Sequence, residues 1–351
     1  MKENLYVFQW ISDLGGADTR LKELLILLKD SYNITLIPND DFRLNEKHNT
    51  DFLDNLKIKY HSASELPDKL HGYAYANCNF RIFSDKHRIN KIKDSGLKFL
   101  WSNDMMWHTP EELAAVKNNQ IDVALYTSVF HKNIINAEVM KQNPYQKTFV
   151  IENYFDSDTW PLLLRSKRPY TVFGKHSRDD LLKFSENFPV FYEQVTNGLE
   201  SSFSVLGWSD QLDQKYSWHT FDARWRMYAT NAMPTIQWLA DLDVFLYNCN
   251  HKFIENQSRS VIEAQLTGCP IIAPRKWNFP NMIPYPHGGC CYDSIEEARE
   301  YATSMCDFNI RTKAGKIASE ATREEWCNKE KSINKWNSLI NLANQKIEVS
   351  I

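Results

Sequence analysis

The sequence lacks paired cysteines. Its seven Cys residues form no C-x-x-C pair, and the adjacent Cys290 and Cys291 are poorly placed to bind one zinc ion together. These positions favour reduced thiols in a reducing compartment and argue against both a disulfide framework and a zinc centre.

Long apolar runs and an excess of charge of one sign are also missing. No apolar stretch has the length that a membrane-spanning helix needs, and residues 1–8 enter a predicted strand without the layout of a signal peptide. The formal net charge of −3 provides no global basic field for nucleic acid or an anionic membrane. We therefore expect a cytoplasmic protein without a stable protein partner.

The composition is that of a globular chain long enough for two domains. Of 351 residues, 43% are hydrophobic and 24% charged. Aromatic residues reach 13%, which suits either a large core or side chains that stack on sugar rings. Short apolar runs alternate with longer amphipathic segments, and this alternation predicts parallel α/β units.

These units fall into two series. The first has predicted strands at residues 5–10, 34–38, 97–102, 123–127 and 148–151, with a helix at 19–28. The second has strands at residues 170–173, 203–206, 244–247 and 270–273. We predict two Rossmann-like α/β domains, residues 1–160 and 161–330, facing each other across a cleft. Since ligands of such sheets bind at the carboxyl ends of the strands, the cleft would hold the site.

The tail is helical in pattern. An apolar stripe runs through residues 322–347, with Trp326 and Trp336 among its members. We assign residues 331–351 to a C-terminal helix that packs either on the second domain or back on the first.

The most informative segment is residues 253–273. Glu255 lies in a predicted loop after the strand 244–247, and Glu263 lies in a helix that Gly268 would cap at its C-terminus. The start of this helix offers backbone N–H groups and a positive dipole end, which suit a diphosphate. Glu255 can accept hydrogen bonds from sugar hydroxyls, and Glu263 from the two ribose hydroxyls of a nucleotide.

This segment resembles the E-x7-E signature of the retaining GT-B glycosyltransferases of family 4. Glu263, Ala264, Gly268, Pro270 and residues 271–273 also reproduce the E-A-x-x-x-G-x-P-(V/I)-(V/I)-A continuation of that family. Asn256, Gln257 and Ser258 follow the first glutamate, where the resemblance implies contacts with the donor. It implies transfer of a hexose from a nucleoside diphosphate sugar, most readily a UDP-sugar, with retention and without a metal or other cofactor.

A second motif opens the second domain. Gly174, Lys175 and Arg178, with Lys183 five residues further on, resemble the cationic loop through which the family contacts the donor phosphates. Two cations near a departing diphosphate would stabilise the negative charge that develops as the glycosidic bond breaks. The resemblance therefore implies catalytic roles for Lys175, Lys183 and Glu255, and donor binding by Gly174 and Arg178.

Two further motifs belong to the first domain. Gly15 and Gly16 stand between the first strand and helix, as in the glycine loop of the family, and residues 150–156 resemble its V-I-x-N-G-V-D motif. The family often has a histidine after the strand 97–102, near the donor sugar. Asn103 or Asp104, with His108 nearby, occupies this place here.

The pair Asp241-Leu-Asp243 formally matches the D-x-D metal motif of the other glycosyltransferase fold. It leads directly into a predicted strand, where this family has a single aspartate. We therefore expect no metal site.

A basic cluster lies between residues 81 and 98. It has two acidic residues, Asp85 and Asp94, and six basic ones: Arg81, Lys86, Arg88, Lys91, Lys93 and Lys98. It forms either a solvated helix face or an acceptor-side surface, to which Arg88 would contribute. The acceptor would then be an anionic saccharide, a lipid-linked phosphate reached by peripheral membrane contact, or DNA.

Three alternatives to saccharide transfer remain at this point. Phage-type enzymes that glucosylate modified bases in DNA share the two-domain fold. Non-hydrolysing nucleotide-sugar epimerases bind the same donors, and a binding protein could retain the donor site without turnover. The continuation of the E-x7-E motif favours transfer.

Overall fold

A computed structural model describes residues 2–12, 16–62, 65–66 and 69–345. The chain folds as two compact units. Residues up to 156, together with those from 328 onward, form the first unit, and residues 157–327 form the second.

The first unit contains a parallel sheet of seven strands with the order β3-β2-β1-β4-β5-β6-β7. Its strands are β1 (Glu3–Val7), β2 (Tyr32–Leu36), β3 (Lys59–Tyr60), β4 (Tyr73–Asn77), β5 (Lys98–Ser102), β6 (Val123–Tyr126) and β7 (Lys147–Val150). Its helices are α1 (Gly16–Leu28), α2 (Lys47–Asn55), α3 (Lys86–Asp94), α4 (Pro110–Lys117) and α5 (Val129–Gln142).

The second unit contains a parallel sheet of six strands with the order β10-β9-β8-β11-β12-β13. Its strands are β8 (Thr171–His176), β9 (Ser201–Trp208), β10 (Trp225–Ala229), β11 (Val244–Leu246), β12 (Ile271–Pro274) and β13 (Gly289–Tyr292). Its helices are α6 (Phe188–Val195), α7 (Asp210–Lys215), α8 (Thr235–Ala240), α9 (Arg259–Leu266), α10 (Phe279–Met282), α11 (Ile295–Met305) and α12 (Phe308–Trp326). The last of the described helices, α13 (Lys329–Asn344), belongs to the first unit.

The central strand β4 was not predicted from the sequence. Alanine has low β propensity, so the run Tyr-Ala-Tyr-Ala-Asn does not resemble a buried strand. In the structure Ala74 and Ala76 are completely buried on one face, and Tyr73 and Tyr75 pack into a second core on the other. Packing on both faces therefore outweighs local propensity here.

The predicted single helix 322–347 is in fact two helices. α12 ends at Trp326, and Asn328 begins α13 by accepting a hydrogen bond from the backbone N–H of Lys331 at 2.9 Å. The predicted end of this helix lies outside the described residues. None of the described helices combines the length and the apolarity that a membrane crossing requires.

Helix α13 contributes directly to the core of the first unit. Trp336, Leu339, Ile340 and Ala343 are buried against the strands and α1. The Trp336 ring meets Tyr75 edge to face at 5.4 Å. The last helix is therefore a structural part of the first sheet's core.

All seven cysteines lie within the described residues, and none forms a disulfide. Gly268 follows α9 with φ +77°, a conformation that glycine adopts without steric penalty. The C-terminal cap predicted at this position is confirmed.

We predict that Trp336→Ala destabilises the first unit by about 3–5 kcal/mol, because it leaves a cavity in that core. Urea denaturation measures the change. Trp218→Ala is the matched control, since Trp218 is 57% exposed and should cost far less. Equal losses for the two variants would contradict this role of α13.

Candidate functional site

The candidate site lies in the second unit, at the carboxyl ends of β8 and β11. These two parallel strands are neighbours. The chain leads from β8 outward to β9 and β10, and from β11 in the other direction to β12 and β13. Such a switch point, where the strand order reverses, is the usual ligand site of an open parallel sheet. The loops 177–183 and 247–258 both leave the sheet here.

Strand β8 is longer than the sequence suggested, and this changes the predicted roles of two residues. It was expected to end at Phe173 but continues to His176, so Gly174 and Lys175 are strand residues and not loop residues. A Cβ atom on Gly174 would lie 1.9 Å from the backbone oxygen of Ser204 in β9. Gly174 therefore permits close approach of two strands.

The Lys175 side chain is completely buried. Its Nζ donates hydrogen bonds to the backbone oxygens of Lys183 at 2.5 Å and Asn248 at 2.7 Å. The same atom lies 4.6 Å from the ring centre of Phe184 and 4.5 Å from that of Tyr247. Lys175 thus joins the loop after β8 to the loop after β11, whereas the sequence analysis expected its ammonium group to face the donor phosphates.

Glu255 receives two donors on one of its oxygens. Lys183 Nζ lies 2.7 Å from Oε2, and the Tyr247 hydroxyl donates to the same atom. Lys183 also lies over the Phe253 ring, with Nζ 3.9 Å from its centre. The other oxygen, Oε1, forms no hydrogen bond or ion pair with any described residue, and Glu255 as a whole is 5% exposed. It can accept hydrogen bonds from a ligand.

Glu263, on α9, has Arg259 as its charged partner, and the neutral ring of His176 lies beside its other oxygen without a hydrogen bond. Arg259 NH2 lies 3.1 Å from Oε1, and His176 Nε2 lies 3.4 Å from Oε2. Burial raises the pKa of Glu263, and Arg259 opposes this shift. Burial, together with the charges of Lys175 and Arg259, lowers the pKa of His176 to about 3, so its ring is neutral. The structure places Glu263 close to the end of β8, beside the loop that carries Arg178.

The start of α9 and the exposed Arg178 complete this edge. Asn256 and Ser258 are buried and Gln257 is half-buried. The Ser258 side chain does not cap the helix; its Oγ lies 3.0 Å from Ser260 Oγ. Arg178 is exposed and, within the described part of the chain, forms no hydrogen bond or ion pair. It is available to an anionic ligand.

The carboxylates of the D-x-D motif do not converge. Asp243 is completely buried, where Oδ2 accepts the backbone N–H of Val172 at 2.9 Å. Arg168 and Arg311 pair with the two Asp243 oxygens at 3.1 and 3.3 Å. Asp241 instead ends α8. Asp243 therefore anchors the start of β8 in the sheet.

In the first unit, two of the predicted acceptor-side residues shape the loop after β5. Asn103 accepts from the backbone N–H of Met105 at 2.7 Å and donates to the backbone oxygen of Trp107 at 2.9 Å. Asp104 pairs with the buried Arg20 of α1 and accepts from Ser102 at 3.0 Å. Both side chains hold the loop in place.

The other two predicted acceptor-side residues, His108 and Arg88, also have partners within the first unit. His108 Nδ1 contacts Glu138 at 2.7 Å, and its side chain is completely buried. Arg88 is buried, with Nε 3.3 Å from Asp85 and NH1 3.3 Å from the backbone oxygen of Pro38. Arg88 is therefore not exposed on the helix face where the basic cluster was expected, and an acceptor role for it stays a prediction.

Only some of the basic residues between 81 and 98 are exposed and without a local partner. Lys91 donates to the backbone oxygen of Leu66 at 2.8 Å, and Lys98 pairs with Asp122 at 3.1 Å. Lys86 and Lys93 remain exposed on α3. Of the predicted glycine loop, Gly15 lies outside the described residues and Gly16 begins α1.

Three further residues, Tyr247, His176 and Arg20, were not predicted as site residues from the sequence. Tyr247 ends a predicted strand and His176 follows Lys175 in the cationic loop, but nothing in the sequence showed which way their side chains point. Arg20 lies on an amphipathic helix, where an arginine is ordinarily exposed.

The sequence matches no family model and no curated protein sequence. Solved structures match its fold. HepE of Anabaena, in complex with UDP, has a TM-score of 0.72 at 14% identity, covering 97% of this chain and 100% of its own. A glycosyltransferase of Rickettsia africae has a TM-score of 0.71 at 12% identity, covering 98% and 100%. The apo form of the lipopolysaccharide outer core galactosyltransferase WaaB has a TM-score of 0.67 at 14% identity, covering 97% and 99%.

These likenesses establish the fold. Two α/β units with parallel sheets of seven and six strands, matched over nearly the whole chain, make this a GT-B fold. The predicted fold class is confirmed.

We predict that Lys175 makes stability depend on pH. Burial lowers its pKa from 10.5 to about 7. Between these values the unfolded chain binds more protons at this site, so the free energy of unfolding rises with pH, by up to about 1.4 kcal/mol per pH unit. The rise begins near pH 7 and ends near the unfolded pKa.

Urea denaturation between about pH 7 and pH 9 measures this slope. Lys175→Met should remove it, whereas Lys93→Met, which changes an exposed lysine, should preserve it. The same slope in Lys175→Met and the parent would show that another group is responsible.

Proposed function

We propose that the protein is a glycosyltransferase that moves a hexose from a nucleoside diphosphate sugar to a saccharide or lipid-linked acceptor. The observation that carries this proposal is the unpaired Oε1 of Glu255, beside the Lys183 ammonium group at the switch point of the second sheet. A nucleoside diphosphate sugar needs an acceptor for its sugar hydroxyls next to a cation for its phosphates. The Glu255 carboxylate and the Lys183 ammonium group could supply the two. HepE, which shares the fold, was crystallised with UDP and with UDP-glucose, so UDP-sugars are the first candidates.

Lys183, Arg178 and the first N–H groups of α9 would bind the diphosphate. As the bond between the anomeric carbon and the diphosphate breaks, its electron pair passes to the diphosphate oxygen. Lys183 and Arg178 would stabilise that charge, and the amides of α9 would add to it. Lys175 contributes indirectly, because it holds the backbone of Lys183.

Transfer would proceed with retention, as in family 4. The acceptor hydroxyl forms the new bond on the face that the diphosphate leaves, and its proton passes to a diphosphate oxygen. Retention is supported by the resemblance to family 4, which extends over the cationic loop, the E-x7-E motif and helix α9.

The reaction would need no metal. Charge on the leaving group is met by Lys183 and Arg178, and Asp243 is already paired with two arginines. Of the remaining alternatives, transfer to DNA loses support because Arg88 is buried and Lys91 and Lys98 have local partners.

Incubation with UDP-, GDP- and ADP-hexoses, with and without oligosaccharide or lipid-linked acceptors, tests the proposal. A glycosylated product supports it. Interconversion of donor sugars without an acceptor would indicate an epimerase. Binding of every donor without turnover would indicate a binding protein.

We predict that Glu255→Gln lowers kcat by about 10-fold to 100-fold and leaves the Kd for UDP within about two-fold. The lost interactions are charge-assisted hydrogen bonds to the sugar, each worth about 1.5–3 kcal/mol, which strengthen as positive charge develops on the ring. Turnover and calorimetric titration with UDP measure the two effects.

Glu193→Gln is the control, because Glu193 forms surface contacts with His219 and Arg224 in the same unit. A large loss of UDP affinity in Glu255→Gln would place this carboxylate at the diphosphate or the nucleoside instead of the sugar.

We predict that transfer survives excess EDTA, with rates within about two-fold of the untreated enzyme, because cationic side chains take the role that a Lewis acid would have. The measurement is product formation before and after chelation. Complete loss, with recovery on adding manganese, would refute metal independence.

A further inference from the structure

The two donors on Glu255 come from different parts of the fold. Lys183 belongs to the loop after β8, and Tyr247 directly follows β11. Both meet Oε2, so that Oε1 alone is left for a ligand. We propose that Tyr247 is a positioning residue that fixes which Glu255 oxygen faces the donor sugar, an inference that rests on the proposed glycosyltransferase activity.

Tyr247 is held more firmly than a surface side chain could be. Its backbone N–H donates to Ile272 of β12 at 2.7 Å, and its own backbone oxygen accepts from the Tyr292 hydroxyl at 3.3 Å. The ring packs against Phe279, with centres 4.8 Å apart, and the Lys175 ammonium lies on it. The direction of the hydroxyl is therefore set by the sheet.

The hydroxyl also remains a donor under all ordinary conditions. Burial, followed by the charge of Glu255, raises the pKa of Tyr247 well above its usual value. A protonated phenol next to the Glu255 carboxylate directs its hydrogen at the carboxylate oxygen.

Tyr247 has a task that Lys183 cannot perform alone. When a diphosphate binds, the Lys183 ammonium is drawn to the larger negative charge and its bond to Glu255 weakens. Without Tyr247, the carboxylate would then be free to rotate and exchange its two oxygens. With Tyr247, Oε2 keeps a donor and Oε1 stays directed at the sugar.

A fixed Oε1 would act on specificity as well as rate. One carboxylate oxygen has two lone pairs, so it can accept from at most two sugar hydroxyls at a time. Hydroxyls in the wrong configuration then miss this atom. The distinction between epimeric donors should therefore weaken when the carboxylate is able to rotate.

The test is Tyr247→Phe, which retains the ring beneath Lys175 and removes only the hydroxyl. Turnover of UDP-glucose and UDP-galactose, with water or an oligosaccharide as acceptor, should show kcat for the faster donor reduced about ten-fold. The ratio of kcat/KM between the two donors should move towards one, and the Kd for UDP should remain within about two-fold.

Tyr126→Phe is the matched control, because it also removes a buried phenol, one that donates to Asn136 at 2.9 Å in the first unit. It should lose a comparable amount of stability and keep both kcat and the donor ratio. Tyr247→Phe with the kcat and donor ratio of the parent would overturn the proposal.

A second measurement does not depend on turnover. Thermal unfolding of Tyr247→Phe, Glu255→Gln and the double variant should give shifts that do not add, because the single changes disrupt the same bond. Additive shifts would overturn the proposal. If the unmodified protein turns over no nucleotide sugar, the proposed function fails. That outcome is distinct from failure of the Tyr247 role, which requires an active parent protein.

Discussion

The site depends on one buried lysine side chain. Lys175 leaves β8 inside the second unit and donates to backbone oxygens of two different loops, one carrying Lys183 and the other leading to Glu255. Burying a charge is costly, and here two carbonyl groups and neighbouring aromatic faces offset only part of that cost, because burial still lowers the pKa of Lys175 to about 7. Since the same contacts fix both loops, the spacing between Lys183 and Glu255 follows from this interaction.

Both units place charges in pairs beside their strands. In the first unit, Arg20 pairs with Asp104 in the loop after β5. In the second, Asp243 pairs with Arg168 and Arg311 at the start of β11. Such pairs contribute little net stability compared with apolar packing, but loss of one partner leaves an isolated buried charge. They therefore specify where a loop or strand must lie. In contrast, Oε1 of Glu255 keeps capacity for a ligand, which distinguishes the site from these structural pairs.

Sequence patterns predicted the strands that bear the site, the α/β class and the glycine cap after α9. They could not predict where side chains point. Lys175 was expected in a loop, but β8 continues past Gly174, and both faces of this central strand are buried, Lys175 included. Arg88 lies in a charged run, yet its guanidinium reaches a backbone oxygen some fifty residues earlier in the chain. Both outcomes depend on partners distant in sequence, which local periodicity does not encode.

The return of α13 to the first unit has a consequence for the order of folding during synthesis. The second unit is complete once residue 327 has been made, whereas the core around Tyr75 still lacks Trp336. The apolar face of the first sheet that α13 covers therefore stays exposed while the ribosome translates the whole second unit. N-terminal units usually complete first on the ribosome. In this chain the core of the first unit is completed last, because Trp336 is synthesised after the whole of the second unit.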